Sequence, residues 1–93
     1  MSWTTEIEWP EKKIDVLSEF EFLNANNQLT AVTIKEMCKA IPHVDRQMIR
    51  IYCNQGVEEG YLTTVLREDK RGTCYHLTKK GRETEFNHFL PLD

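Results

Sequence analysis

Residues 60–81 read GYLTTVLREDKRGTCYHLTKKG, and the reading of the whole chain turns on them. Two apolar-rich strand candidates, Tyr61–Arg67 and Thr73–Thr78, flank the charged turn Glu68-Asp69-Lys70-Arg71-Gly72. Leu62, Thr64 and Leu66 alternate with Tyr61, Thr63 and Val65, while Tyr75 and Leu77 supply facing apolar positions. That alternation predicts a β-hairpin with Arg67, Lys70 and Arg71 gathered at its tip and Gly72 allowing the turn. Thr78 can cap a helix that opens in LTKKGRE, with Phe86, Phe89 and Leu90 as its apolar seam before Pro91 breaks it.

Just upstream, roughly Arg46–Glu59 carries a helical pattern with two distinct faces. At 100° per residue Ile49, Tyr52, Cys53 and Gly56 share the side that must pack inward. Gln47, Arg50, Ile51 and Asn54 fall on the other side, with Arg46 near the N-terminus. Arg, Gln and Asn are the side chains able to make bidentate contacts with guanine or adenine in the major groove, and an apolar residue such as Ile51 can meet a thymine methyl or a neighbouring protein. The plainer reading of the same row is a solvated helix face.

Two further helices precede it. Thr33-x-x-Glu36 is a capping box, and Ile34, Met37, Cys38 and Ile41 follow at helical spacing until Pro42 stops the run. Pro42-His43-Val44 makes the tight turn, and Asp45 is a natural N-cap for the next helix. The first helix starts at Trp9-Pro10, with proline suited to the first helical position and Glu11 at the positive end of the dipole. Ile14, Val16, Leu17, Phe20 and Leu23 form its apolar face, and Asn24-Ala25-Asn26-Asn27-Gln28 ends it. Leu29–Val32 is a short strand candidate beside the hairpin.

At 93 residues, 40% hydrophobic and 29% charged, the chain suits one α+β domain over 1–93, with its core in 11–85. No apolar run reaches the length of a membrane span, and acids stand where a signal peptide needs a basic stretch, so a cytoplasmic protein with no membrane partner is expected. Net charge is −3 overall, but it is unevenly spread. Residues 39–82 hold nine Lys or Arg against five acids, a local +4, while residues 1–38 carry −4. A basic working face on an acidic body suits specific more than non-specific binding of a polyanion.

Cys38, Cys53 and Cys74 form no C-x-x-C pair and are expected to be reduced, a redox switch requiring one of them to be exposed near a cation. Cys74 and His76 share a strand face, too few ligands for zinc, so no metal and no cofactor is expected. No Ser/His/Asp arrangement or phosphate loop is present, and His43, His76 and His88 fall on different elements; an enzyme is not expected. Large apolar residues crowd the ends. Trp3, Ile7, Phe86, Phe89 and Leu90 are either lids on the core or a dimer surface, and a dimer surface is the expectation.

The order helix, short strand, helix, helix, β-hairpin, helix, with Gly60-Tyr61-Leu62 and Tyr75-His76-Leu77-Thr78-Lys79-Lys80-Gly81-Arg82, resembles winged helix-turn-helix transcription regulators of the MarR and PadR kind. The resemblance spans roughly residues 11–85. It implies a homodimeric repressor on double-stranded DNA, with the third helix in the major groove and the hairpin, or wing, on the backbone or minor groove. On that pattern Arg46, Gln47, Arg50 and Asn54 match base-reading positions, Lys70 and Arg71 the wing tip, and Thr33 and Lys35 the phosphate-facing start of the second helix. The chain lacks the long extra helices of the MarR dimer. The alternative is a winged-helix adaptor that binds protein and not DNA, since fold does not fix function.

Overall fold

A computed structural model describes residues 8–91. Along the chain run β1 (Glu8–Trp9), α1 (Glu11–Phe22), β2 (Val32–Thr33), α2 (Ile34–Ala40), α3 (Arg46–Glu58), β3 (Leu62–Leu66), β4 (Thr73–Leu77), α4 (Lys79–Glu83), a 3-10 turn at Phe86–His88 and β5 (Leu90–Pro91). The architecture is α+β. An antiparallel sheet in the order β2-β4-β3 packs with the helices, and β1 pairs in parallel with β5.

The core is where the apolar periodicities meet. Val16, Leu17 and Phe20 of α1, Met37 of α2, and Ile49 and Cys53 of α3 are fully buried, closed by Leu62 and Leu77 of the hairpin. Helix ends are fixed by local chemistry. Pro10 stands one position earlier than expected, as the N-cap of α1, with its carbonyl accepting from the Lys13 and Ile14 N–H groups. At the other end Asn24 takes a φ of 55°, a left-handed conformation that asparagine tolerates. After α3 the chain leaves through Gly60 at φ 86°, with Tyr61 N–H donating to the Gly56 carbonyl and Gly60 N–H to that of Val57. Those two bonds are a Schellman close, and glycine meets its conformation without strain.

The two motifs that carried the family resemblance turn out to be one knot. Thr78 N–H donates to the Tyr61 carbonyl, the Thr78 hydroxyl donates to that of Gly60, and Lys80 Nζ donates to that of Glu59. Thr78 Oγ1 also caps α4 by accepting from Gly81 N–H. Gly81 lies so close beneath Tyr61 that a Cβ there would sit 2.2 Å from the Tyr61 carbonyl oxygen. Arg82 completes the docking through the Asn26 and Leu77 carbonyls.

Three expectations need correction. The small strand is Val32–Thr33, not Leu29–Val32; it pairs with Tyr75 and Cys74 of β4. Asn27 Oδ1 accepts from Leu29 N–H and Thr30 bonds the Asn27 backbone, so that segment is committed to a turn. The last helix does not run on through the apolar seam. It ends at Glu83 because Thr84 turns extended and its hydroxyl bonds the Lys80 carbonyl.

The third correction follows from the second. Phe86 is fully buried within its own chain, stacked 5.7 Å from Trp9 and edge-on to Tyr61 at 5.3 Å. Phe89 meets Trp9 edge-on at 4.5 Å. Phe86 is therefore a lid on the core, not a free dimer surface, because Trp9 and Tyr61 already occupy its ring, while Phe89 is half-buried against Trp9. Leu90 is 41% exposed and paired with Glu8 through β5. Trp3 and Ile7 lie outside the described residues. Beneath the aromatic group, Lys13 is buried, paired with Glu59 at 2.9 Å and set over the Trp9 ring, tying α1 to the end of α3. Among the described residues no helix is long and apolar enough to cross a membrane.

Candidate nucleic-acid interface

Helix α3 presents its polar row because its other face is consumed by the core. Asp45 caps it by accepting from Gln47 N–H, and Ile49, Tyr52, Cys53 and Gly56 are buried. Arg46, Gln47, Arg50, Ile51 and Asn54 are all exposed. At the start of α2 both halves of the capping box form: Glu36 N–H donates to Thr33 Oγ1, and Thr33 N–H to Glu36 Oε1 at 2.9 Å. The crossing of α2, α3 and the hairpin tip leaves a hollow of about 410 Å³.

Six of the eight residues expected at a DNA surface line that hollow: Thr33, Lys35, Arg46, Arg50, Asn54 and Arg71. Gln47 lines the adjoining one, of about 530 Å³, with Asp45, Arg46, Arg50, Ile51 and Asn54. The first hollow holds four cations and no carboxylate. Lys35, Arg46, Arg50 and Arg71 make no ion pair among the described residues, whose pairs lie elsewhere. Four unneutralised cations in one concavity, on a chain of net charge −3, form a concentrated positive field.

Lys70 is not part of it. Its ammonium is paired with Glu36 of α2, so it reaches back to the body of the domain. Arg67 is also spent inward, donating from Nε and Nη2 to the Asp69 carboxylate at 2.9 and 2.7 Å and from Nη1 to the Ala31 carbonyl at 2.9 Å. Only Arg71, among the three tip cations, is left facing outward. The expectation of Lys70 as a free phosphate contact is therefore corrected by its partner. Thr33 changes role too: its hydroxyl accepts from Glu36 N–H and donates to Glu36 Oε1, so it builds the helix end that lines the hollow.

Burial pushes the Glu36 carboxyl up, but the bonds from Lys70 and the Thr33 N–H prevail and hold its pKa below the ordinary value. Tyr75 is a site residue that periodicity does not reveal. Strand alternation gives it only an apolar facing position, yet its hydroxyl reaches Asn54 Oδ1 at 3.4 Å from the floor of the hollow. Burial and Cys53 push its phenol up, while nearby Arg50 pulls it down. The signal lies in the residue type, since a buried tyrosine usually finds a partner for its hydroxyl.

The remaining reactive side chains do not converge here. Burial, with Cys38 nearby, pushes the Cys53 thiol up to about 12, which leaves it protonated and unreactive. Cys74 is buried and His76 turns its Nδ1 to the Leu77 carbonyl. His43 pairs with Asp15 and His88 with Glu85. Among the described residues no three His, Cys, Asp or Glu side chains gather as a metal site would require. No protein-family model matches the chain, and no curated protein or solved structure matches it either.

Proposed function

We propose that this chain is a winged-helix, sequence-specific binder of double-stranded DNA that regulates transcription. On this reading α3 enters the major groove, and Lys35 and Arg71 hold the flanking phosphates. The observation that carries the reading is the four-cation hollow at the crossing of α2, α3 and the hairpin, adjoining the Gln47–Asn54 row. Phosphate neutralisation supplies affinity, and Arg50 and Gln47 supply the hydrogen bonds that tell base pairs apart. Two copies on a pseudo-palindrome would place two such helices about one duplex turn apart, about 34 Å.

The test is an anisotropy titration on mixed-sequence duplex across a salt series, followed by selection from a random duplex pool. Binding that weakens steeply with salt, and a pool that converges on one sequence, are the expected results. A second reading as a protein adaptor draws on one observation: Leu29 and Leu66, 76% and 79% exposed, line a common hollow with Arg67, Glu68 and Asp69 that shares no residue with the four-cation one. Duplex that fails to bind at low salt would favour the adaptor.

A further inference from the structure

Large exposed hydrophobic side chains among the described residues are Phe22, Leu29, Ile51, Leu66 and Leu90. Ile51 alone stands among the groups of the candidate interface, in the hollow it shares with Asp45, Arg46, Gln47, Arg50 and Asn54. It is 37% exposed, so part of its side chain is free to meet a partner. Gln47, Arg50, Ile51 and Asn54 fall at i, i+3, i+4 and i+7, a single stripe along α3. At about 1.5 Å per residue that stripe is about 10 Å long. It covers about three base-pair steps of about 3.4 Å each. Ile51 sits in its middle, flanked on both sides by hydrogen-bonding side chains. An isoleucine cannot hydrogen-bond to a base edge. What it can recognise in the major groove is the 5-methyl group of thymine.

We propose that Ile51 is a specificity-determining residue that packs on the 5-methyl of a thymine, at the step between those contacted by Gln47 and Asn54. The inference rests on the DNA-binding reading above and adds to it one base and one atom. Within the stripe, Arg50 and Gln47 read by hydrogen bonds and Ile51 reads by shape and apolar contact. The same contact would discriminate against cytosine, which lacks the methyl.

The experiment starts from the duplex selected in the random-pool assay. Each thymine is replaced in turn by uracil, which deletes one methyl and leaves the pairing edge intact. Affinity is measured by anisotropy with the wild-type chain, with Ile51→Ala and with Arg50→Ala. Burying one methyl is worth about fourfold in affinity, so one thymine should show a loss of about three- to fivefold with wild type. The same replacement should change Ile51→Ala binding by less than about 1.5-fold, while Arg50→Ala, though weaker overall, should keep the sensitivity. Circular dichroism and an unchanged salt slope report that Ile51→Ala is folded. If uracil is tolerated at every thymine, or if the loss persists in Ile51→Ala, this inference is overturned while DNA binding stands. If no sequence is selected, the DNA reading falls and takes the inference with it.

Discussion

Lys70 and Glu36, 34 residues apart, form an ion pair that docks the hairpin tip onto the first turn of α2. The same carboxylate closes the capping box at Thr33, so one side chain sets both the helix end and the position of the tip. Arg71, the next residue, is thereby held at the rim of the cationic hollow. The two adjacent cations have different work, and salt dependence separates them. Arg71→Ala should flatten the log–log salt slope of DNA binding by about one unit, because one phosphate goes unneutralised. Lys70→Ala should leave the slope nearly unchanged and weaken binding only through a looser tip. Equal flattening by both variants would show Lys70 on the phosphate backbone.

The Glu36 carboxyl, held below its ordinary 4.5, gives this docking a pH signature. A group whose folded pKa is lowered adds stability above its unfolded pKa and loses it as pH falls through the folded value. The stability gap between wild type and Lys70→Gln should therefore be constant from neutral pH down to about 4.5 and close at more acid pH. The gap should be small, about 0–1 kcal/mol, because both side chains are partly exposed. Thermal melts across pH measure it, and a gap that widens towards acid would contradict the pairing.

Arg50 and Gln47 are exposed, so Arg50→Ala and Gln47→Ala should fold normally. Each should cost about 1–3 kcal/mol on the selected sequence if its contact is bidentate, and much less on mixed DNA. Equal losses on both duplexes would assign these side chains to phosphate instead.

How much of the fold and site is legible in the sequence depends on how local each cause is. The faces of α3 follow from spacing alone, because every buried member lies three, four or seven residues from Ile49. The capping box at Thr33 and the cap at Asp45 are likewise written within four residues. Lys70 cannot be placed that way, since Glu36 lies on another element. Phe86, Phe89 and Leu90 fit a helical period, but Thr84 ends the helix and Trp9 collects the rings, and neither fact shows in their spacing.

Phe86 offers the sharpest check on that correction. Phe86→Ala should lower unfolding stability by about 3–5 kcal/mol, as a fully buried ring leaves a cavity. The melting temperature should fall by the same amount at all protein concentrations. A deficit that disappears on concentrating the protein would place the ring between copies.

Gly81→Ala tests the knot. The added methyl meets the Tyr61 carbonyl oxygen at 2.2 Å, so the backbone must move, at a cost of about 1–3 kcal/mol. Urea titration should show a lower midpoint with an unchanged slope. A variant as stable as wild type would mean that α4 has room to shift.

That knot of Glu59, Gly60, Tyr61, Thr78, Lys80 and Gly81 shares no residue with the cationic hollow or the row beside it. The frame and the exposed row of α3 are therefore separate sets of residues. Among the described residues the side chains of Arg46, Gln47, Arg50 and Ile51 make no hydrogen bond or ion pair to the knot, and the one side-chain bond at Asn54 is that from Tyr75. On the DNA-binding reading proposed above, the domain is a chassis whose target preference lies at five positions of one helix, none of them in the knot that holds it together.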